Sequence, residues 1–168
     1  MSVITAAGLD MALWDALAKA AKMPLANLLG GSTGPLRTYN TNGLWLLPFD
    51  ELAKEAAELV EEGGFKAIKM RLAIPRLKVD IKAIEIVREG VGEDIRTTVH
   101  FNQGQPIQGA ITRRHGLDDQ GMYSVEEPVV FDTYAQNAQL TREIKTPISI
   151  GENIYGPRSF LEAVQANA

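Results

Sequence analysis

The sequence contains no cysteine, which excludes disulfide bonds and metal sites built on thiolates. Basic residues are not in excess, because 17 lysines and arginines against 21 aspartates and glutamates leave a net charge of −4. The sequence also lacks the basic, aromatic-interleaved runs that mark nucleic-acid-binding surfaces. No apolar run approaches the roughly 20 residues of a membrane-spanning helix, and no basic signal-peptide segment opens the chain. We therefore expect a cytoplasmic protein with no nucleic-acid or membrane partner.

Strand and helix patterns alternate through most of the chain. The 168 residues, 45% of them apolar, are enough for a sizeable core. Strands are predicted at residues 38–44, 65–72, 95–102, 122–128 and 147–153, and helices at 51–62, 77–87, 107–119, 134–144 and 157–166. Polar residues mark the strand ends at regular intervals: Thr41, Lys69, His100, Glu126 and Glu152. These repeating units predict an α/β fold with about five parallel strands, either doubly wound or bent into a barrel.

The first part of the chain has a different pattern. Leu13 and Leu17 recur at helical spacing in an apolar stretch, and Pro24 ends that helix. No strand pattern precedes residue 38. We therefore divide the chain into a helical segment, residues 1–34, and the strand–helix units of residues 35–168.

Polar side chains gather where the predicted strands end. Lys69 and Arg71 are two residues apart, so they point to the same side of one strand. His100 lies at the end of the next strand, and Glu126 and Glu152 lie at the ends of the two after it. A lone lysine at a strand end is often only surface charge, but converging cations and carboxylates need partners. Carboxylate oxygens suit Mg²⁺, and a bound cation makes the α-proton of a carboxylate substrate easier to remove.

Five segments carry a resemblance to a known family. In chain order they are AAGLDMALWDALAKAAKMPLANLLGG, GFKAIKMRL, VHFNQ, VEEP and IGEN. Together they resemble the mandelate racemase / muconate lactonizing enzyme group of the enolase superfamily. The resemblance implies a partial (β/α) TIM-type barrel with outer helices, entered from a capping domain through the helical segment. It also implies a racemase or dehydratase that binds Mg²⁺ and abstracts the α-proton of a small carboxylate or hydroxy-acid substrate.

The resemblance implies roles for individual residues. Glu126 and Glu152 match two of the metal-binding carboxylates of the family. Lys69 matches the first lysine of a catalytic Lys-x-Lys motif, which contacts the substrate carboxylate. Thr41 and Asn102 match two further positions: a small hydroxyl that contacts the substrate, and the asparagine that follows the first metal ligand.

Two positions depart from the family pattern. His100 stands where the family has its first metal-binding aspartate. Arg71 stands where many members have the second lysine, the base that removes the α-proton. A guanidinium group stays protonated to above about pH 12, so Arg71 suits a carboxylate clamp better than a base. The resemblance further implies that the seventh barrel strand, with its Asp–His dyad, and the capping domain lie outside these residues.

These departures leave alternatives open. His100 with Glu126 and Glu152 would weaken Mg²⁺ binding and suit Zn²⁺ or Mn²⁺ better. Alternatively, His100 pairs with Glu126 and the site holds no metal. The chain is then either part of a mandelate racemase-like enzyme or a catalytically inactive, truncated barrel that serves as an oligomeric or binding module. Open strand edges and an uncovered apolar face predict a homo-oligomer.

Overall fold

The computed structural model describes residues 3–46, 48–72 and 76–168. They fall into two compact units, with the division between Arg37 and Thr38. No helix within the described ranges is both long enough and apolar enough to cross a membrane. The boundary between residues 34 and 35 that we inferred from the sequence stays a prediction about domain organisation.

The first unit is helical. Helix α1 spans Val3–Ala20 and helix α2 spans Leu25–Leu28. Pro24 immediately precedes α2, where its fixed backbone angle suits a helix start and its missing N–H is not needed. The apolar side chains at helical spacing in α1 are largely exposed, with Leu13 71% and Leu17 52% accessible. Helix α1 therefore presents uncovered apolar surface.

The second unit alternates helices and parallel strands. Its elements are α3 (Phe49–Glu61), β1 (Ala67–Arg71), α4 (Leu77–Val91), β2 (Arg96–His100), α5 (Ile107–Leu117), β3 (Ser124–Glu126), α6 (Tyr134–Glu143), β4 (Ile148–Ser149) and α7 (Gly156–Ala166). The strands form one sheet in the order β1-β2-β3-β4, and every pair is parallel. The predicted α/β class is therefore confirmed.

The strand predicted at residues 38–44 is reduced to a single parallel bridge between Asn40 and Ile68. The Asn40 N–H donates to the Ala67 carbonyl and the Lys69 N–H donates to the Asn40 carbonyl, both at 3.0 Å. Leu44 then has a φ of 52°, which is incompatible with an extended strand. The described sheet thus has four strands rather than five, because the backbone leaves the ladder after Asn40 and meets β1 again at Leu44, whose carbonyl accepts from the Arg71 N–H at 3.0 Å.

The core lies between the sheet and its covering helices. Ile68, Met70 and Val99 of the strands are at most 1% exposed. They belong to one buried cluster with residues of the helices, among them Leu52 of α3 and Ile84 of α4. Burying a side chain of this size contributes about 1.5–3 kcal/mol. This core fixes the strands and thereby the positions of the side chains at their ends.

Helices α3 and α4 approach each other closely at Gly90. A Cβ atom on Gly90 would lie 2.5 Å from the carbonyl oxygen of Ala53. Backbone atoms cannot move aside as a flexible side chain can, so the contact requires glycine.

Two arginines of α5 lie near one buried carboxylate of α4. Arg113 forms an ion pair with Asp80, which is 1% exposed. Arg114, also 1% exposed, stacks with its guanidinium carbon 3.4 Å from the centre of the Phe101 ring. Its three guanidinium nitrogens are buried and have no hydrogen-bond partner among the described residues. Burial lowers the pKa of Arg114 to about 9, assisted by Arg113 and opposed by Asp80. Asp80 is therefore the charge that offsets two neighbouring cations, the buried Arg114 and the partly buried Arg113.

Candidate active site at the strand ends

The carboxyl ends of parallel strands meet at one edge of a sheet, where α/β proteins commonly build their sites. Arg71, the last residue of β1, is in register with His100, the last residue of β2. His100 is in turn in register with Glu126, the last residue of β3. The pairing therefore brings three of the predicted site residues side by side.

Lys69 and Glu126 contact each other directly. The Lys69 Nζ lies 3.0 Å from the Glu126 Oε2, and the two side chains are only 9% and 16% exposed. The family resemblance implied that Lys69 contacts a substrate carboxylate and that Glu126 binds a metal. Here each neutralises the other, because a charge with so little solvent contact needs a nearby counter-charge.

His100 is buried and lacks a hydrogen bond at Nδ1. Its exposure is 2%, and the Nδ1 atom has no hydrogen-bond partner within the described part of the chain. The distance from His100 Nδ1 to Glu126 Oε2 is 3.6 Å, which is too long for a hydrogen bond. Burial lowers the pKa of His100, although the negative charge of Glu126 opposes that shift. His100 therefore offers a neutral imidazole, the form that binds metal ions.

Glu127 is a buried carboxylate held by two amide side chains. Its exposure is 1%. Gln103 Nε2 donates to Glu127 Oε2 at 3.0 Å, and Asn153 Nδ2 donates to Oε1 at 3.2 Å. The Gln103 Oε1 accepts a hydrogen bond from the backbone N–H of Phe131. The carboxylate is thus fixed from the loops that follow β2 and β4.

Three donors of metal-ligand type converge next to these strands. His100, Glu127 and Glu152 each offer a ligand atom, and these atoms lie within 4.8 Å of one another. Glu152 is exposed and the other two are buried. Two of the three predicted metal ligands, His100 and Glu152, are therefore brought together. Glu127 takes the place next to them that the sequence assigned to Glu126.

Left-handed backbone conformations cluster at the same edge. Asn102, Gln103 and Glu127 have φ values of 48°, 60° and 43°. This region costs roughly 1–2 kcal/mol for residues other than glycine. Such strain persists only where the surrounding structure enforces it, and it is frequent at functional sites. The conformation at Glu127 also breaks strand alternation, so that Glu126 and Glu127 both come close to His100.

Arg71 stacks on an exposed indole ring. Its guanidinium carbon lies 3.5 Å from the centre of the Trp45 ring, and Trp45 is 57% exposed. The Arg71 Nε and Nη1 atoms are buried without a hydrogen-bond partner among the described residues. A planar cation held by a ring, with unused donors, is suited to bind a carboxylate.

The other two predicted substrate ligands, Thr41 and Asn102, are exposed. Neither side chain forms a hydrogen bond or ion pair with another described residue. The structure therefore does not join them to the cluster around His100.

Comparison with known proteins fits this geometry. Residues 51–168 match the enolase C-terminal domain-like family, and residues 1–30 match the mandelate racemase / muconate lactonizing enzyme N-terminal domain. The chain belongs to the mandelate racemase / muconate lactonizing enzyme group of the enolase superfamily. Arabinonate dehydratase of Saccharolobus solfataricus is 34% identical over 96% of the chain and 43% of its own length.

Solved structures of this superfamily superpose closely on the chain. A magnesium-bound enolase from alpha proteobacterium bal199 has a TM-score of 0.91 and 48% identity, over 99% of this chain and 47% of that one. A Bradyrhizobium enolase complexed with magnesium and mandelic acid has a TM-score of 0.86 and 35% identity, over 96% and 44%. The chain thus spans less than half the length of these superfamily members, and its fold is a partial (β/α) barrel.

Three residues of the site had no predicted role: Gln103, Glu127 and Asn153. Only one signal pointed to them, because each is a polar residue next to a predicted ligand at a strand end. Glu126 was assigned as a ligand through the family resemblance, which gave Glu127 no role.

Proposed function

We propose that this chain forms part of an enzyme that abstracts the α-proton of a small hydroxy carboxylic acid, leading to racemisation or dehydration. The carrying observation is the convergence of charged side chains at neighbouring strand ends, above all the Lys69–Glu126 pair beside buried His100. Membership of the mandelate racemase group supports the reaction class. The mandelic acid bound to the Bradyrhizobium relative supports a carboxylate substrate.

In this proposal Arg71 and Lys69 have different roles towards the substrate. Arg71 would hold the substrate carboxylate through the guanidinium group stacked on Trp45. Lys69 is the candidate base among the described strand-end residues, because a guanidinium group does not release its proton below about pH 12. Thr41 and Asn102 remain proposed substrate contacts from the neighbouring loops.

The magnesium ion carried by solved relatives fits this donor set poorly. Mg²⁺ favours oxygen ligands in near-octahedral geometry, whereas His100 contributes nitrogen. Glu126, the carboxylate that resemblance assigned to the metal, is paired with Lys69 at 3.0 Å. We therefore derive no catalytic step that depends on Mg²⁺.

A second candidate function is that of a catalytically inactive oligomeric or binding module. Arginine at position 71 and histidine at position 100 favour it, since both replace residues on which the family chemistry depends. Under this alternative the strand ends would still bind a carboxylate, but without turnover.

A titration with mandelate tests the carboxylate site. We expect mandelate to change the fluorescence of Trp45, because the ring contacts the proposed clamp. Arg71→Gln should weaken binding about tenfold or more, since a hydrogen bond to a charged group contributes about 1.5–3 kcal/mol. Trp45→Phe should abolish the fluorescence change on mandelate addition, although Trp14 still fluoresces.

Arg158→Gln is the matched control for this titration. Arg158 is 91% exposed and, among the described residues, pairs with Glu162 of its own helix. It should leave mandelate binding unchanged. Equal affinity in the native chain and in Arg71→Gln would contradict the assignment of Arg71 as the clamp.

Self-association is expected of the isolated chain. Helix α7 exposes Phe160, Leu161 and Val164, which are 52%, 55% and 70% accessible. Covering apolar surface favours association by about 25 cal/mol per Å², so about 1,000 Å² could offset an association cost of roughly 4–15 kcal/mol. We expect sedimentation to detect a homodimer or larger oligomer. Leu161→Ser should weaken association, whereas Gln165→Ser should not, and a folded monomer at tens of micromolar would refute this expectation.

A further inference from the structure

The buried imidazole of His100 indicates that a ligand belongs beside it. An unbonded polar atom in a protein interior is unfavourable, and native structures usually satisfy it. Residue His100 is 2% exposed, its Nδ1 has no hydrogen bond among the described residues, and Glu126 stays 3.6 Å away. A cation that accepts an imidazole nitrogen would remove this deficit.

Two carboxylates complete a donor set around the same point. Glu127 and Glu152 each offer an oxygen within 4.8 Å of the ligand atom of His100 and of one another. The set comprises one nitrogen and two carboxylate donors, drawn from the ends of three neighbouring strands. Glu126 is excluded from this set because its charge is matched by Lys69 at 3.0 Å.

The amide side chains that contact Glu127 orient its carboxylate for metal binding. Hydrogen bonds from Gln103 and Asn153 fix the carboxylate plane, at 3.0 and 3.2 Å. Oε2 also accepts a longer contact of 3.5 Å from Asn153, whereas Oε1 accepts one hydrogen bond and so keeps a lone pair for a cation. Partners of this kind orient metal ligands, and their loss typically weakens metal binding about 10–100-fold.

We propose that His100, Glu127 and Glu152 bind a first-row divalent cation that accepts nitrogen, with Zn²⁺ preferred over Mg²⁺. Imidazole is a good ligand for Zn²⁺, and carboxylate oxygens complete its usual donor types. At position 100, Mg²⁺ would meet an imidazole nitrogen, which it disfavours, in place of the carboxylate oxygen of the family aspartate. The inference deepens the proposed function by naming the metal and its ligands.

Calorimetric titration of the chelator-treated chain, with any histidine tag removed, tests the inference. Zn²⁺ should bind at one site at least tenfold more tightly than Mg²⁺. His100→Ala and Glu127→Gln should each weaken Zn²⁺ binding at least tenfold, and Gln103→Ala should weaken it about 10–100-fold. His100→Asp should reverse the preference towards Mg²⁺. Circular dichroism of each variant separates loss of the site from loss of the fold.

His115→Ala is the control, because His115 is 51% exposed in the last turn of α5 and lies outside this donor set. It should leave Zn²⁺ affinity unchanged. Equal or tighter binding of Mg²⁺ by the native chain would overturn the proposal, as would Zn²⁺ binding that survives His100→Ala. No carboxylate is present in this titration, so its failure leaves the mandelate result untouched.

Discussion

Asp80→Asn is expected to lower the free energy of unfolding by about 3–5 kcal/mol, the usual cost of removing one partner from a buried ion pair. Asp80 is 1% exposed and pairs with Arg113. Arg114 lies beside them, 1% exposed and with its guanidinium nitrogens lacking hydrogen bonds among the described residues. Asparagine keeps the shape of the side chain but removes the charge, so both cations would lose their counter-charge. Urea denaturation at neutral pH measures the change.

Asp119→Asn supplies the control for this experiment. Asp119 is 84% exposed and pairs with Lys145, itself 81% exposed, at 3.6 Å. Surface pairs of this kind contribute little, so the free energy of unfolding should stay within about 0.5 kcal/mol of the native value. If Asp80→Asn were equally mild, the view of Asp80 as the counter-charge of Arg113 and Arg114 would be wrong.

The cluster also explains why α4 and α5 are tied to the end of β2. The Arg114 guanidinium stacks on Phe101, which immediately follows His100 in the chain. Loss of Asp80 would therefore loosen the support directly behind the candidate site. We therefore expect a loss of stability here to weaken ligand binding as well.

Much of this fold could be predicted from the sequence because apolar spacing repeats along it. The strand around Val99 and the one around Val125 both appear where alternation predicted them. The strand predicted at residues 38–44 is reduced to one bridge at Asn40. At its far end Leu44 takes a left-handed conformation, which a leucine side chain does not predict. Bulky residues rarely adopt a positive φ, so the local sequence gives no basis for predicting one at Leu44.

The location of the candidate site could be predicted from the sequence, but the contacts between its side chains could not. The parallel arrangement places His100, Glu126 and Glu152 towards one edge, as expected of parallel strands. Which carboxylate meets Lys69 depends on side-chain distances across two intervening strand pairings. The positive φ of Glu127 adds a second carboxylate to the cluster. Both features depend on three-dimensional context that a linear pattern does not contain.

The two departures from the family pattern act on different parts of the proposed chemistry. Under the proposals above, His100 would change which cation the site favours, whereas Arg71 would place a fixed positive charge where the family pattern has the second lysine. Arg71 and Lys69 lie on one strand, two residues apart, with Glu126 facing Lys69. The local arrangement therefore favours holding an anion over accepting a proton from it.

For that reason we expect the isolated chain to show no steady racemisation or dehydration of mandelate or of a sugar acid. Positioned acid–base groups typically contribute about 10²–10⁴-fold each. Arg71 cannot serve as a base, and Lys69 is held at 3.0 Å from Glu126, with 9% exposure. The α-proton exchange rate in deuterated water, followed by nuclear magnetic resonance with Zn²⁺ and with Mg²⁺, should stay at the uncatalysed level.

Arabinonate dehydratase of Saccharolobus solfataricus, assayed on arabinonate, provides the positive control, and its rate should exceed that of this chain by about 10⁴-fold or more. A chain that binds mandelate through Arg71 without exchanging its α-proton would support the inactive-module alternative for these residues. Steady turnover that Lys69→Ala abolishes would show instead that Lys69 leaves Glu126 when substrate binds. The α-proton would then pass to the Nζ of neutral Lys69, after Lys69 had released its own proton, with Arg71 restricted to holding the carboxylate.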